Sequence, residues 1–302
     1  MSLLVIGSAA FDSIQTPIGQ RTKVIGGSGV YAACAAGFFT PVRLVGVVGD
    51  DWPSAYTDIL RAKEIDLKGL EVRHGAETLS WSGRYFENMD DRETLEIRLN
   101  VMGEEYKPVV PESYRDSEFV FLANGSPVSH LDLLTKMAKK PRLTVADTMD
   151  FYIRHTPAPL AELLRQIDGL ILNDSEARLL TGRQNTIAAA REILRMGPSF
   201  VIVKKGENGA FYLSNDAIRL IPAFPSEKVI DPTGAGDSFA GALMGVLAAA
   251  GKSDPESIVA AMARATIIAS YNVEGFSLER LQNLTTEEFD TRLDAFRKMI
   301  TF

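Results

Sequence analysis

The sequence predicts an α/β fold in which a mostly parallel β-sheet is covered by helices on both faces. Short apolar segments of strand length alternate with helical segments along most of the chain. This βαβα order is typical of parallel sheets that are buried on both sides. The length of 302 residues suits one large α/β unit or about two domains. We interpret residues 1–302 as a single domain.

The first strand is predicted at residues 3–7, because Leu3-Leu4-Val5-Ile6 is short, apolar and closed by a glycine. Further strands are predicted at residues 43–48, 118–123, 143–147, 169–172, 200–204 and 210–213. Helices are predicted at residues 28–39, 53–63, 129–139, 159–167, 174–180, 186–196 and 240–250, and two more begin at Asp254-Pro255 and Thr285. Ligands of such sheets bind outside the carboxyl ends of the strands.

Two segments break this order and predict a small β-lid. Residues 78–85 and 94–100 alternate apolar and polar side chains, and the turn-rich residues 88–91 separate them, as in a hairpin with one covered face. Residues 14–24 have a similar character, with Pro17 and Gly19 at the bend. We therefore expect lid segments at about 13–25 and 76–101, over the strand ends. An edge extension of the main sheet is the alternative.

Charge and composition exclude several classes of protein. There are 32 basic and 39 acidic residues without a basic block, which argues against a nucleic-acid partner. No apolar run reaches the ~18 residues of a membrane span, and the N-terminus lacks the basic region of a signal peptide. The single Cys34 excludes an intrachain disulfide and suits a reducing compartment, so we expect a cytoplasmic protein with a small-molecule partner.

The most informative motif is Asp231-Pro232-Thr233-Gly234-Ala235-Gly236-Asp237, which opens a helix of small residues. The two glycines allow a sharp turn, and the first amides of a helix attract an anion, most often a phosphate. The carboxylate of Asp237 in such a nest suits a base that takes the proton of a hydroxyl attacking a bound phosphoryl group. The motif predicts a phosphotransferase. The alternative is an ordinary helix cap.

Two further motifs suit a nucleotide and its metal. Asn173 and Glu176 stand three apart at the start of a helix, where they can face one pocket and hold a hydrated Mg²⁺. Their alternative is a capping box. Lys204 ends a strand beside Gly206 and Gly209, where it can reach a phosphate as a point charge. The alternative for this segment is a hairpin turn with solvated lysines.

A third group suits the acceptor. Gly26-Gly27 opens the helix at residue 28 and lets a ligand hydroxyl approach the backbone closely. Asp12, just past the first strand, is expected at a strand end, where it can accept hydrogen bonds from hydroxyls. Its alternative is a turn residue. A dinucleotide fingerprint is absent, because Ala32 stands where the pattern needs its last glycine.

Taken together, these motifs resemble those of the ribokinase-like, PfkB-type carbohydrate kinases nearly end to end. The most specific part is residues 229–239, and residues 7–12, 26–27, 48–51, 173–176 and 204–209 resemble further family segments. The resemblance implies a three-layer sandwich with a β-lid and ATP-dependent phosphorylation of a hydroxyl on a sugar, nucleoside or polyol. A non-catalytic nucleotide- or sugar-binding sensor on the same fold is the alternative.

The resemblance also assigns roles to individual residues. Asp237 would be the base, and Gly234, Ala235 and Gly236 the anion hole. It places Asn173, Lys204, Gly206, Gly209, Thr233 and Gly275 near ATP, Glu176 on Mg²⁺ through water, Asp231 and Thr233 at a monovalent cation such as K⁺, and Asp12, Gly26, Gly27, Tyr31 and Asn124 at the acceptor.

Two departures widen the choice of acceptor. Ribokinases commonly have an asparagine where this chain has Ala10, and another where it has Tyr31. Both read hydroxyls of a pentose, so we expect a more apolar pocket, with the aromatic residues Phe11, Trp81 and Tyr85 also available. Because a lid strand leaves one edge unpaired, a homodimer through the lid is a further hypothesis.

Overall fold

A nine-stranded sheet forms the centre of the molecule, and a separate four-stranded sheet lies beside it. The computed structural model describes residues 2–103 and 106–301. Its strands are β1 (Leu3–Ile6), β2 (Ala10–Thr16), β3 (Gly19–Gly26), β4 (Val42–Gly49), β5 (Ile65–Arg73), β6 (Leu79–Tyr85), β7 (Arg92–Arg98), β8 (Phe119–Leu122), β9 (Leu143–Asp147), β10 (Gly169–Asn173), β11 (Phe200–Lys204), β12 (Ala210–Ser214) and β13 (Ile218–Ile221).

The large sheet has the order β13-β12-β11-β10-β9-β8-β1-β4-β5. Its strands from β11 to β5 run parallel, and β12 pairs antiparallel with both of its neighbours. The chain leaves β1 toward β4 on one side and leaves β8 toward β9 on the other. This change of direction opens a crevice at the carboxyl ends of β1 and β8, where ligands of such sheets bind.

Helices cover both faces of this sheet, as the alternating pattern predicts. They are α1 (Ser28–Gly37), α2 (Ser54–Ala62), α3 (Pro127–Thr135), α4 (Asp150–His155), α5 (Pro157–Leu164), α6 (Asp174–Thr181), α7 (Thr186–Met196), α8 (Ala235–Ala250), α9 (Pro255–Asn272), α10 (Glu279–Asn283) and α11 (Thr286–Ile300). Helices α1, α8 and α9 contribute to one buried cluster, and α3, α5 and α7 to the other. The three-layer α/β prediction is therefore confirmed.

Close backbone packing brings α8 onto α1. A Cβ at Gly241 would overlap the backbone of Ala32, and one at Gly245 would lie 2.8 Å from the Cα of Ala36. Small residues on both helices permit this approach, which explains the alanine- and glycine-rich sequence of α8. The first turn of α8 is thereby fixed against the start of α1.

The small sheet has the order β3-β2-β6-β7 and corresponds to the predicted lid hairpins. It is a sheet of its own, so the alternative of an edge extension of the main sheet is wrong. Strand β2 begins at Ala10, earlier than the expected lid segment at about 13–25. The expectation of one covered face is wrong for β7, in which every residue is exposed. This strand lies at the sheet edge.

Asp50 and Asp51 fix the point where the chain enters the small sheet. Asp51 Oδ1 accepts hydrogen bonds from Thr78 N at 2.8 Å and Thr78 Oγ1 at 2.7 Å. Asp50 Oδ1 lies 2.7 Å from His74 Nδ1, which donates to it when it carries the ring proton, and Asp50 Oδ2 accepts a hydrogen bond from Gly75 N at 2.5 Å. The segment at residues 48–51 thus holds the base of β6.

The sequence patterns did not predict two of the strands and two of the helices described above. Strands β5 and β13 border the large sheet at its two edges, and the short helices α4 and α10 lie in connecting segments. Strand β5 alternates apolar and polar residues and has an irregular register opposite β4 near Gly69, which blurs its pattern. Within the described ranges, no helix has the length and apolar character required to cross a membrane.

Candidate active site

The predicted nest lies in the turn before α8. Gly234 precedes the helix in the left-handed region, with φ of 74°, and a Cβ there would overlap the ring of Tyr31. The amide of Ala235 donates to the carbonyl oxygen of Pro232 at 3.2 Å, so it is already used. Amides in the first helical turn have no acceptor within the helix, which leaves those of Gly236 and Asp237 to face a ligand.

Asp231 holds this turn in place through hydrogen bonds. Its side chain is fully buried, and its two oxygens accept hydrogen bonds from Thr233 N at 2.9 Å and Ser277 N at 3.0 Å. Asn272 Nδ2 donates to the carbonyl oxygen of Thr233 at 2.8 Å. Asp231 therefore joins the nest to the loop that contains Gly275, and this structural role was not predicted.

Asp237 lies in the first turn of α8 with a raised pKa. Burial and then the charge of Asp147 raise the pKa of Asp237 from 3.8 to about 6, while Lys204 and Arg92 oppose the shift. The sequence alone predicts an ordinary ionised carboxylate, favoured by the helix dipole. Burial outweighs that effect here, so Asp237 is a stronger base than expected and is still largely ionised at neutral pH.

Lys204 lies directly beside the nest. Its Nζ is 3.0 Å from the position that a Cβ of Gly236 would occupy, and it forms an ion pair of 2.7 Å with Asp147 Oδ2. The charges of Asp147, Glu176 and Asp237 raise the pKa of Lys204, although burial opposes its charge. Sequence reasoning missed Asp147, whose one available signal was an acid at the end of a strand.

The segment after Lys204 forms a tight turn between β11 and β12. Lys205 N donates to the carbonyl oxygen of Gly209 at 2.7 Å, and Gly206 and Gly209 have φ of 54° and 82°. The hairpin alternative is thus correct for the backbone. It is wrong for Lys204, whose side chain is mostly buried, and correct for Lys205, which is exposed.

Asn173 and Glu176 form a complete capping box at the start of α6. Glu176 N donates to Asn173 Oδ1 at 2.8 Å, and Asn173 N donates to Glu176 Oε2 at 2.7 Å. The second oxygen of Glu176 takes no part in the cap. Burial and the charge of Asp147 raise the pKa of Glu176 to about 7. Within the described ranges, no three or more His, Cys, Asp or Glu side chains lie together in a way that could hold a metal ion.

Asp12 lies close enough to Asp231 and Asp237 for their charges to act on its carboxylate. It belongs to β2 of the small sheet, so its predicted place just after a strand is wrong. Burial, then the charges of Asp231 and Asp237, raise the pKa of Asp12 to about 7. A Cβ at Gly26 would overlap its carboxylate, which explains that glycine. Gly27 precedes α1 with φ of 98°.

Asn124 lies where β8 ends. Its backbone oxygen accepts a hydrogen bond from Ser28 Oγ at 2.7 Å, and its Nδ2 donates to Met149 Sδ at 3.2 Å. Its Oδ1 is buried and accepts no hydrogen bond from the residues described. A thioether is a weak acceptor, so both ends of this amide are poorly satisfied. Asn124 can therefore bind a polar group of a ligand.

The aromatic residues expected at the acceptor separate into three environments. Tyr31 is fully buried against Gly234. Phe11 packs on the ring of Trp52, with centroids 5.8 Å apart, and so supports the lid instead of facing a ligand. Trp81 pairs with Asp12 in the strand register, and Tyr85 reaches Thr233 Oγ1 at 3.3 Å. These two aromatic side chains lie on the lid face that meets the nest.

Comparisons with known proteins show the family and the fold of this chain. Residues 2–280 match the sequence model described as pfkB family carbohydrate kinase. A cytidine kinase of Thermococcus kodakarensis is 28% identical over 250 residues, covering 81% of this chain and 87% of that protein. The structure of a nucleoside kinase of Methanocaldococcus jannaschii, described as a member of the ribokinase family, superposes with a TM-score of 0.76 at 20% identity and covers 97% of this chain and 98% of that one.

A second solved structure has a nucleotide bound. A putative ribokinase II from E. coli, in complex with ATP and Mg²⁺, superposes with a TM-score of 0.80 at 20% identity over 97% of this chain and 99% of that one. The likeness in structure extends over nearly the whole chain, as the motif resemblance does. This protein is a member of the pfkB family of carbohydrate kinases.

Proposed function

We propose that this kinase transfers the γ-phosphate of ATP to a hydroxyl of a sugar, nucleoside or polyol, with Asp237 as base. One observation carries the proposal: Lys204 Nζ lies 3.0 Å from the position of a Cβ at Gly236, and its charge acts on the carboxylate of Asp237, the next residue of the turn. A cation and backbone donors that meet beside a base suit a phosphoryl group and its attacking hydroxyl. A non-catalytic sensor has no need of that base.

Each residue of the nest then has a defined task. The amides of Gly236 and Asp237 stabilise charge on the phosphoryl oxygens, and Lys204 adds a positive charge that Asp147 holds in place. Asp237 accepts the hydroxyl proton as the new oxygen–phosphorus bond forms. Its raised pKa suits this proton transfer better than that of an ordinary aspartate, because it lies closer to neutral pH.

The residues present fit a hydrated magnesium ion next to ATP. Mg²⁺ retains several waters and needs only one or two carboxylates besides the phosphates. Glu176 has one oxygen outside its capping box, and it is a partly buried acid whose raised pKa a nearby cation would lower. Bound there, Mg²⁺ would neutralise charge on the phosphates. Asn173 holds Glu176 in place through the box.

The acceptor is proposed to lie between Asp12 and Asn124, under the lid. The names of the cytidine kinase and nucleoside kinase relatives favour a nucleoside. Trp81 on the lid offers a ring for stacking, and the orphaned Oδ1 of Asn124 offers an acceptor for an amine or hydroxyl. These features also permit a free sugar or polyol, so the acceptor screen below includes all of these classes.

A monovalent cation beside Asp231 and Thr233 stays a prediction. Each oxygen of Asp231 already accepts one backbone hydrogen bond, and each retains a second lone pair. Turnover measured in potassium and in sodium salts tests this site. The homodimer is likewise a proposal, because β3 and β7 are the two edges of the small sheet. Light scattering tests it.

Coupled measurement of ADP release tests the proposed reaction across pentoses, hexoses, inositols and nucleosides. With the best acceptor, Asp237→Asn is expected to lower kcat by roughly 10²–10⁴-fold. Asp216→Asn, at an exposed position in the turn before β13, is the matched control and keeps its activity. Turnover of Asp237→Asn near that of the control contradicts the role of Asp237. ATP binding without turnover on any acceptor favours the sensor.

A further inference from the structure

The lid presents one arginine to the nest. Tyr85 is the Cα partner of Arg92 in the antiparallel pairing of β6 and β7. Paired residues on neighbouring strands project from the same face of a sheet. The hydroxyl of Tyr85 lies 3.3 Å from Thr233 Oγ1, so that face meets the turn before α8. Arg92 therefore extends from the lid toward the nest.

The lid hairpin also touches the loop after Lys204. Asp90 Oδ1, in the hairpin turn, lies 3.1 Å from the position of a Cβ at Gly206. Met89 in the same turn packs against the apolar cluster that contains Tyr85. The hairpin thus contacts both segments proposed to hold phosphates, the turn before α8 and the loop after Lys204. Arg92 is the first residue of β7, directly after the hairpin turn.

Arg92 is positively charged and lacks a carboxylate partner. Among the residues described, no ion pair within 4.0 Å involves Arg92, whereas Arg98 on the same strand pairs with Glu96 at 2.8 Å. The guanidinium lies 5.7 Å from the ring centroid of Trp81. The side chain of Arg92 is exposed overall, but the protein around it partly displaces the water that would solvate its charge. Tyr85 and the carboxylates of Asp237 and Glu176 outweigh that effect and raise the pKa of Arg92.

We propose that Arg92 is a catalytic residue delivered by the lid, whose guanidinium binds the oxygens of the phosphoryl group in transit. This inference rests on the proposed function. In the transfer, a bond forms between the acceptor oxygen and the γ-phosphorus, and the bond from that phosphorus to the bridging oxygen of ADP breaks. The hydroxyl proton goes to Asp237. Arg92 keeps its protons and stabilises the charge that the equatorial oxygens carry.

The position of Arg92 on the lid has a consequence for specificity. The lid face that carries Arg92 also carries Trp81 and Asp12, which are proposed to contact the acceptor. An acceptor that holds the lid in place therefore also holds this positive charge beside the nest. Transfer to the acceptor gains that stabilisation, and transfer to water without an acceptor does not.

Two variants and one matched control test the role of Arg92. Arg92→Gln removes the charge, Arg92→Lys keeps a charge without the planar fork, and Arg98→Gln changes an exposed arginine on the opposite face of β7. With the best acceptor from the screen, Arg92→Gln is expected to lower kcat by about 10²-fold with little change in the KM for ATP. The kcat of Arg92→Lys is expected to lie between those of Arg92→Gln and the wild type. The kcat of Arg98→Gln is expected to match that of the wild type.

Calorimetry gives a readout that is independent of turnover. The titrant is ADP with Mg²⁺, in the presence of acceptor, with and without aluminium fluoride, which mimics the phosphoryl group in transit. In the wild type, aluminium fluoride is expected to tighten ADP binding. Arg92→Gln should lose most of that gain, about 10-fold or more, while its affinity for ADP alone stays the same. Arg98→Gln should retain the gain.

Several outcomes would overturn the proposal. A wild-type kcat and an unchanged aluminium fluoride gain in Arg92→Gln mean that Arg92 does not touch the phosphoryl group. A rise in the acceptor KM alone means that Arg92 binds an anionic group of the acceptor instead. Absence of turnover and of any aluminium fluoride effect in the wild type overturns the proposed function together with this inference, so the two failures are distinguishable.

Discussion

Replacing the proposed base should make the protein more stable while it sharply lowers turnover. The pKa of Asp237 is raised from 3.8 to about 6 because burial and Asp147 disfavour its charge. Between those two values the native state binds more protons than the unfolded state, so stability decreases as pH rises. The favourable contribution of this carboxyl is complete below the unfolded pKa and is lost as pH rises through the folded pKa. Because an asparagine does not ionise, Asp237→Asn does not suffer this loss of stability at high pH.

The size of the effect follows from the same two values. A shift of about two pKa units is worth about 3 kcal/mol, at 1.36 kcal/mol per unit, so Asp237→Asn should gain about 3 kcal/mol at most near pH 8. Near pH 4.5 most native Asp237 is protonated, and the same linkage leaves a gain of about 1 kcal/mol. The pH dependence, about 2 kcal/mol between these conditions, isolates the charge of Asp237 from other effects of the substitution.

Urea unfolding without nucleotide, near pH 8 and near pH 4.5, measures these free energies. The wild type and Asp237→Asn are compared with Asp216→Asn, whose side chain is exposed. A stability difference between Asp237→Asn and the wild type that is equal at both pH values would refute the reasoning, as would a less stable variant near pH 8. Either result would mean that Asp237 is well solvated in the native state.

Two further predictions concern the nest. The proposed base must be unprotonated, and Asp237 has a pKa of about 6, so kcat/KM should fall about tenfold per pH unit below pH 6. The measurement uses saturating Mg²⁺ to keep Glu176 ionised. A profile that stays flat down to about pH 5 contradicts this prediction. Gly234→Ala should cost about 1–3 kcal/mol from its positive φ, plus the overlap with the ring of Tyr31, and should lower kcat. Gly182→Ala, with a similar φ of 70° and open space around it, is the control and should show the backbone cost alone in urea unfolding.

The large sheet and most of its helices follow from local patterns. Segments such as Phe200–Lys204 and Thr186–Met196 lie where the sequence predicts them, because burial on both faces demands continuous apolar runs and amphipathic helices carry their own period. Strand β5 was missed, since edge strands are only partly buried and its glycine interrupts the alternation. The small sheet was predicted, but the exposure of β7 was not.

The capping box at Asn173 illustrates why one motif permits two interpretations. The hydrogen bonds of the box and the placement of Glu176 next to Lys204 and Asp147 coexist, because a carboxylate has two oxygens and the cap uses one. A sequence pattern alone records the spacing and therefore cannot tell a structural role from a chemical one. Residues on strands that are distant in sequence, and that lie next to the motif in the fold, decide between these two roles.

The sequence by itself determined the family, the α/β architecture and the segments that carry phosphate-binding chemistry, because glycine-rich turns, helix starts and strand periods are local properties of the chain. Only the tertiary structure decided which residues lie next to those segments in space. Asp147, Lys204 and Arg92 come from three separate strands, and burial together with the charges of these three residues sets the pKa of Asp237. Burial and Coulomb interactions depend on distance in space, which separation along the chain does not encode.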